Sequence, residues 1–460
     1  MIEFLVSILV LLISLYLFKK SIGSFRLDRL NMISYLLYSS LILQIYIGSV
    51  MVVMNLDIHF DMYFWAITGH AFDKARLYGW LSVLYTMIML PIGMIFANFI
   101  FLKKINASPL LIRYQDKNLN FNLNSKVLFL VLLLFTILST LAIAYVFIII
   151  GHFPILGLLS GLDDFVLRQM RGDAKIAFNG IPHIRDFIAI PLTQLLSYAA
   201  YISYKQYGQL KFKLLFIYLF MLSVLILTYA LEKAPVVLYV LSFLFLKIYL
   251  GYKLDMKKLF IMMMLSFVFL VFFFFAITGA DNVFTALIMI FERVFVGSAS
   301  AVFLVYEYFP QQHDFIGWAG ASNWLANLVG EELKSTGRIL FEIYNPKAVE
   351  AGTAGFLDSL FVAGAWSFFG LVGVLLSPLW VGFFIQSIHL FMLRLPKNSI
   401  FLALYIYQIF HWSVASGFAA LLNPISLFVI MSFSILIYLV ILFFERILKN
   451  NENKRMYSNL

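Results

Sequence analysis

Residues 127–150 read VLFLVLLLFTILSTLAIAYVFIII, 24 positions without a single charge. A helix rises about 1.5 Å per residue, so this one is about 36 Å long, against a bilayer hydrocarbon core of about 30 Å. Inside that core a helix satisfies its own backbone hydrogen bonds, which an irregular segment does not. The stretch reads as a membrane span.

Working outward, ten further spans are predicted near 2–18, 33–55, 78–102, 187–204, 213–231, 235–250, 259–278, 370–393, 398–418 and 423–444. The one at 235–250 is short and the one at 398–418 is weakly apolar. Composition agrees: 63% of the 460 residues are hydrophobic and 12% charged, against about a quarter charged in soluble proteins. The expectation is an all-α polytopic membrane protein with about eleven transmembrane helices, forming a single membrane domain over 1–460. The N-terminal apolar run is preceded only by Glu3 and followed by Lys19 and Lys20. A secretory signal has the opposite order, so the run reads as a span that stays. The chain has no cysteine, which excludes disulfides, thiolate metal sites and thiol catalysis.

The net charge of +10 is distributed as topology rather than as a nucleic-acid surface. With the N-terminus outside and the C-terminus inside, 22 of 33 basic residues fall in inner segments and 18 of 23 acidic residues in outer ones. Two outer segments are too long to be turns and point to function. One is 151–186. The other is 279–352, extended to 369 by a helix on the outer face. Phe284 to Tyr308 is long enough to span, but a span there would invert every later loop. It is read instead as an interfacial or re-entrant pair interrupted at Glu292, Arg293 and Gly297. Residues 322–333 read as a second interfacial helix, with Trp324, Leu325, Leu328 and Val329 on one side. The inner tail 445–460 is polar and expected to be disordered.

The first long loop contains GLDDFVLRQMRGDAKIAFNGIPHIRDF at 161–187. Arg168 and Arg171 share a helix face that Gly172 is expected to end. Two guanidiniums on one face suit a phosphate or pyrophosphate, since Arg donates in pairs and keeps its charge. The competing reading is a solvated helix with Asp164 paired to Arg168. His183 and Arg185 add to the functional reading. Glu232 and Lys233 sit at the hinge TYALEKAPVV between two spans. There they are either functional charges at membrane depth or snorkelling residues of an interfacial turn. Arg293, within FERVF, is either the polar edge of an interfacial helix or an anion ligand. In the second loop His313, Lys334, Glu342 and Lys347 read as solvent-facing, and Arg338 in STGRILFEIYNP is the candidate. His411 is either a buried general base or a hydrogen-bonded core histidine. Motifs of nucleotide-binding loops, zinc peptidases and serine hydrolases are missing, and no D-x-D is present to hold a nucleotide sugar.

Three stretches carry a resemblance. They are the Arg-bearing loop leading into HIRDFIAIPLTQLLSY, the hinge ALEKAPVVLYVLSFL, and the Gly-rich GTAGFLDSLFVAGAWSFFGLVG after the large loop. In these stretches and in its layout of spans and loops, the chain resembles O-antigen polymerases of the Wzy type, the oligosaccharide repeat unit polymerases. Lys233 stands where many relatives carry Arg. The resemblance implies a bacterial inner-membrane protein with both long loops periplasmic and the tail cytoplasmic. It implies a substrate of oligosaccharide carried on undecaprenyl pyrophosphate. It also implies membrane lipids and a chain-length-regulating co-polymerase as partners, with no nucleic acid, cofactor or metal. In that scheme Arg168, Arg171, Arg185, Lys233, Arg293 and Arg338 bind pyrophosphate or glycan, and Glu232, His183 or His411 takes the acceptor proton. The rival functions are transfer of a similar donor to lipid A core, as by a ligase, and transport of lipid-linked glycans.

Overall fold

The computed structural model describes residues 2–22, 25–26, 29–56, 69, 73–119, 123–162, 164–175, 178–252, 282–330, 333, 335–350, 355–415 and 417–458, with single positions 257, 260, 261, 264, 265, 267, 268 and 271. Eight helices are long and apolar enough to cross a membrane: Ile2–Ile22, Met32–Val53, Asp73–Leu102, Ser125–Ile150, Ile184–Tyr207, Leu210–Leu227, Phe361–Arg394 and Ile425–Asn450. Two shorter apolar helices, Ala234–Tyr249 and Ser399–His411, stand at the short and the weak predicted spans. The predicted span 259–278 lies outside the described residues, apart from single positions. The chain is a helical, multi-pass membrane protein.

The helix Ser125–Ile150 shows why. Asn124 caps it by accepting from the Lys126 N–H at 2.9 Å, and Gly151, at φ 76°, stops it. One face exposes Leu130, Leu134 and Leu141, while Val131, Phe135 and Ala142 are buried. Such a stripe would be an aggregation surface in water; with lipid as solvent it is the outward face. The polar side chains point inward. The Thr136 hydroxyl donates to the Leu132 carbonyl at 2.7 Å, and the Ser139 and Thr193 hydroxyls bond each other.

Three expectations change. The weak span 398–418 is helical only to His411, because the following backbone is recruited elsewhere: the Phe361 N–H donates to the Val414 carbonyl at 2.8 Å, and Gly417 takes φ 48°. The tail, expected to be disordered, is helical to Ser458. The last helix runs Ile425–Ser458, with Glu445 and Lys449 one turn apart on it. Gly172 does not end its helix, which runs Asp164–Lys175. A mid-helix Gly costs about 1 kcal/mol, and here the end of the helix is held three residues later by Arg185.

The stretch 283–308 is a bent pair, Val283–Phe295 and Ser300–Tyr308, at 59°, with the break at Gly297. The second amphipathic helix is Asn323–Val329, capped by Ser322 and stopped by Gly330 at φ 74°. It leaves Trp324 and Leu328 exposed. The helix Phe361–Arg394 is broken at Gly370, φ 58° and ψ −140°. The break separates the helical 361–369 from the span that follows.

Hydropathy offers one continuous membrane domain, but the packing groups into two compact units. One comprises Met1–Arg113, Leu254–Leu393 and Trp412–Pro424; the other Tyr114–Lys253, Arg394–His411 and Ile425–Leu460. Within the first, Asp73–Leu102 and Phe361–Arg394 touch backbone to backbone. A Cβ on Gly93 would lie 2.2 Å from the Leu379 carbonyl oxygen, and one on Gly382 2.0 Å from that of Leu90. Small residues let membrane helices approach this closely. Within the second unit, Phe243 packs against Tyr198, Tyr201, Phe216, Phe220 and Tyr239. This aromatic core joins the helices before and after the Glu232 hinge.

Candidate functional site

The second unit gathers the hinge and the first long loop. Glu232 is the N-cap of the helix Lys233–Tyr249 and uses its side chain for no capping bond. The carboxylate turns instead to the loop helix Asp164–Lys175. Arg171 Nη2 lies 3.8 Å from Glu232 Oε1, and Lys175 Nζ bonds the same oxygen. Arg171 and Lys175 are four residues apart and so share a face. The Glu232 side chain is 27% exposed against 44% for Arg171, so the group faces outward from a partly sheltered carboxylate. Arg171 Nε is buried without a hydrogen-bond partner among the described residues. The ligand-facing capacity of Arg171 lies in the rest of its guanidinium, in a side chain 44% exposed.

The backbone beside Glu232 is strained. Leu231 has φ 52°, a left-handed conformation that costs a side-chain-bearing residue about 1–2 kcal/mol. Strain of this kind persists where surrounding structure fixes it and clusters at functional sites.

Arg185 has a different job. Nε donates to Asp186 Oδ1 at 2.7 Å and Nη2 to Asp186 Oδ2 at 3.3 Å. Nη1 donates to the Ala174 and Lys175 carbonyls at 3.2 and 3.3 Å. Those carbonyls are the unsatisfied end of the loop helix, where a cation is stabilising. The guanidinium also lies over the Phe178 ring at 4.7 Å. Arg185 is buried, and these contacts make it the clamp that positions Arg171 and Lys175.

The remaining candidates of this unit are dispersed. Arg168 lies on the same helix three residues before Arg171, and Lys233 is the first residue of its helix; the side chains of both, and of Asp164, lie outside the described residues. His183 is exposed, with its ring stacked on Phe187 at 5.4 Å. His411 has Tyr407 Oη at 3.3 Å from Nδ1 and Ser426 Oγ at 3.1 Å from Nε2; it is hydrogen-bonded but exposed rather than in the core.

In the first unit, Arg293 and Arg338 both meet the Gly-rich segment after the large loop. Arg338 Nε donates to Glu342 Oε1 at 2.7 Å, and Nη1 donates to the Gly355 carbonyl at 3.1 Å. Arg293 Nη2 stands 3.8 Å from Asp358 Oδ2, an open pair about half exposed on both sides. The Leu357 N–H donates to the Gly337 carbonyl at 3.1 Å, so Arg338 reinforces a docking that backbone already makes. On the same helix, burial and then the Glu307 carboxylate hold the Tyr344 hydroxyl above the usual phenol range.

Sequence reasoning passed over Lys175, Asp186, Leu231 and Asp358. Lys175 was within reach, one turn after Arg171, once the helix is allowed to cross Gly172. The others depend on tertiary placement. Comparison with protein-family models, with curated proteins and with solved structures returns no match.

Proposed function

We propose that this protein is a membrane glycosyltransferase that polymerises oligosaccharide repeat units carried on undecaprenyl pyrophosphate, at the outer face of a bacterial inner membrane. The observation that carries the reading is the convergence of Arg171 and Lys175 on Glu232 at a strained hinge. The resemblance in layout and in three sequence stretches adds the substrate class. About eleven spans, N-terminus outside and C-terminus inside, put both long loops on the outer face. There nucleotide sugars are absent and a donor must arrive already activated by its carrier.

The chemistry follows. An acceptor hydroxyl on one lipid-linked unit attacks the anomeric carbon of the growing chain. The new glycosidic C–O bond forms as the bond to pyrophosphate breaks, and the lipid pyrophosphate leaves with the electron pair. Arg171 and Lys175, with Arg168 on the same helix, meet the charge that develops on the leaving group, and preorganised cations are effective there. Glu232 accepts the acceptor proton. Arg185 holds the loop helix in place and is a positioning residue. In the other unit Arg338 braces the Gly-rich segment, and Arg293 meets that segment through its open pair with Asp358.

The test is reconstitution of the purified protein with a single lipid-linked repeat unit, no nucleotide sugar and excess chelator. A ladder spaced by one repeat supports the proposal. No ladder, but transfer once lipid A core is supplied, makes it a ligase. Glycan crossing the bilayer without covalent change makes it a transporter. The orientation is checked in the cysteine-free chain by impermeant labelling. A cysteine at 175 should label from outside and one at 115 should not.

A further inference from the structure

The second unit carries another feature, at the end of Ser125–Ile150 remote from the 151–186 loop. A groove of about 500 Å³ runs between this helix and Leu210–Leu227. One wall is Phe129, Leu133, Ile137 and Leu141, four positions at successive turns; the other includes Leu214. At one end Lys211 lines the groove, with its Nζ 5.1 Å from the centre of the Phe129 ring. At the other end the Thr140 and Tyr218 hydroxyls bond each other at 3.0 Å. Thr140 also donates to the Thr136 carbonyl at 2.8 Å, so its bond to Tyr218 spares lipid an unpaired phenol hydroxyl.

We infer that this groove is a binding site for an anionic glycerophospholipid, which lays one acyl chain along the apolar wall and sets its phosphate against Lys211. Three observations choose the occupant. Phe129 to Leu141 covers about 18 Å of helix, close to the ~15 Å depth of one leaflet's hydrocarbon. The volume lies within the range of small-molecule sites. The polar end is cationic: Lys126 and Lys213 lie at the same ends of these helices, and Lys205 in the last turn of the preceding helix Thr193–Tyr207. This is the Lys-rich face of the protein, and a basic membrane surface attracts anionic headgroups. The site stands apart from the glycan chemistry: it opens at the opposite end of Ser125–Ile150 and does not depend on the proposed function.

The experiment uses the full-length protein in nanodiscs of phosphatidylcholine with a minority of phosphatidylglycerol, followed by native mass spectrometry of retained lipid. The wild type should keep phosphatidylglycerol in preference to phosphatidylcholine. Lys211→Gln should lower that preference about fivefold, and Lys211→Arg should preserve it. Ile137→Trp, which fills the groove, should remove one retained lipid. Inorganic phosphate should not displace the lipid, because it lacks the chain. An unchanged preference in Lys211→Gln overturns the proposal, and this surface substitution leaves packing intact even if Ile137→Trp unfolds. Displacement by phosphate alone overturns the acyl-chain part. A dimer that dissociates on Ile137→Trp, with no lipid retained, assigns the groove to a second copy of the chain and also overturns it.

Discussion

Two groups of cations, one in each compact unit, look alike in sequence and differ in what they hold. In the hinge group, Arg171 and Lys175 reach across to a carboxylate 61 and 57 positions away in the chain. Neither spends a described bond on backbone. In the loop group of the other unit, Arg338 bonds a carboxylate one turn along its own helix and the carbonyl of Gly355. A guanidinium that satisfies a backbone carbonyl is part of the fold. One that meets only an acid and stands 44% exposed, as Arg171 does, can meet a third group. The comparison separates cations that can be removed at the expense of activity from those removed at the expense of structure.

The largest effect belongs to Glu232→Gln. If the carboxylate takes the acceptor proton, polymer formation should fall by about 10²–10⁴-fold with protein level unchanged. Full activity in this variant would make Glu232 a structural counter-ion and the hinge group a second copy of the loop group. Next comes Arg171→Ala, expected to lower polymerisation by about 10²–10³-fold. Arg171→Lys should recover part of that, since the charge returns without the paired donors. Polymer of wild-type length from Arg171→Ala would break the comparison at its active end.

Eight of the eleven predicted spans were legible as helices of spanning length, because an apolar run of bilayer length has few alternatives. Even the shortness of 235–250 and the weakness of 398–418 reappear, as helices of less than spanning length. The division into two units was not, because hydropathy says which residues meet lipid or protein but not which helices pair. Arg168 and Arg171 stood out through spacing alone. The partnership of Arg171 with Glu232 did not, since it joins a loop to a hinge through tertiary packing. Arg185 drew notice as a cation near the others, yet its donors go to Asp186 and to the end of a helix. Residue type signals a charge; only placement tells a ligand from a clamp. Leu231 is the reverse case, a residue of no chemical interest whose backbone marks the hinge.

The loop group supplies the third prediction. Arg338→Ala removes a charged donor from the Gly355 carbonyl and should lower stability by about 2 kcal/mol. The Leu357 to Gly337 backbone bond remains. A fall in the melting temperature, with activity per folded molecule within about tenfold of wild type, is expected. Undiminished stability with activity lost as in Arg171→Ala would make Arg338 a glycan ligand of the same standing and erase the distinction.

Lys397 gives the smallest effect and the sharpest standard for a structural cation, because it sits in the same unit as the hinge and is almost wholly enclosed. It lies in the turn before Ser399–His411 with 2% of its surface exposed. Its ammonium donates to the Gln115 and Lys117 carbonyls at 2.8 and 2.6 Å, at the end of the helix Ser108–Asp116. Burial draws its pKa down to about 8 from 10.5, against the opposing pull of Asp116. In the folded protein the proton is therefore lost near pH 8, while the unfolded chain holds it to 10.5. Between those values the unfolded state binds more protons, so stability rises with pH. A neutral amine still has two hydrogens for the two carbonyls, so the contacts survive the change. Thermal unfolding in detergent should show a gain of about 1.5 kcal/mol from pH 8 to 9.5, absent in Lys397→Met. A stability that is flat in the wild type would mean that Lys397 stays charged inside the fold. Burial would then no longer mark the structural cations of this protein, and the contrast between clamp and ligand would rest on bonding partners alone.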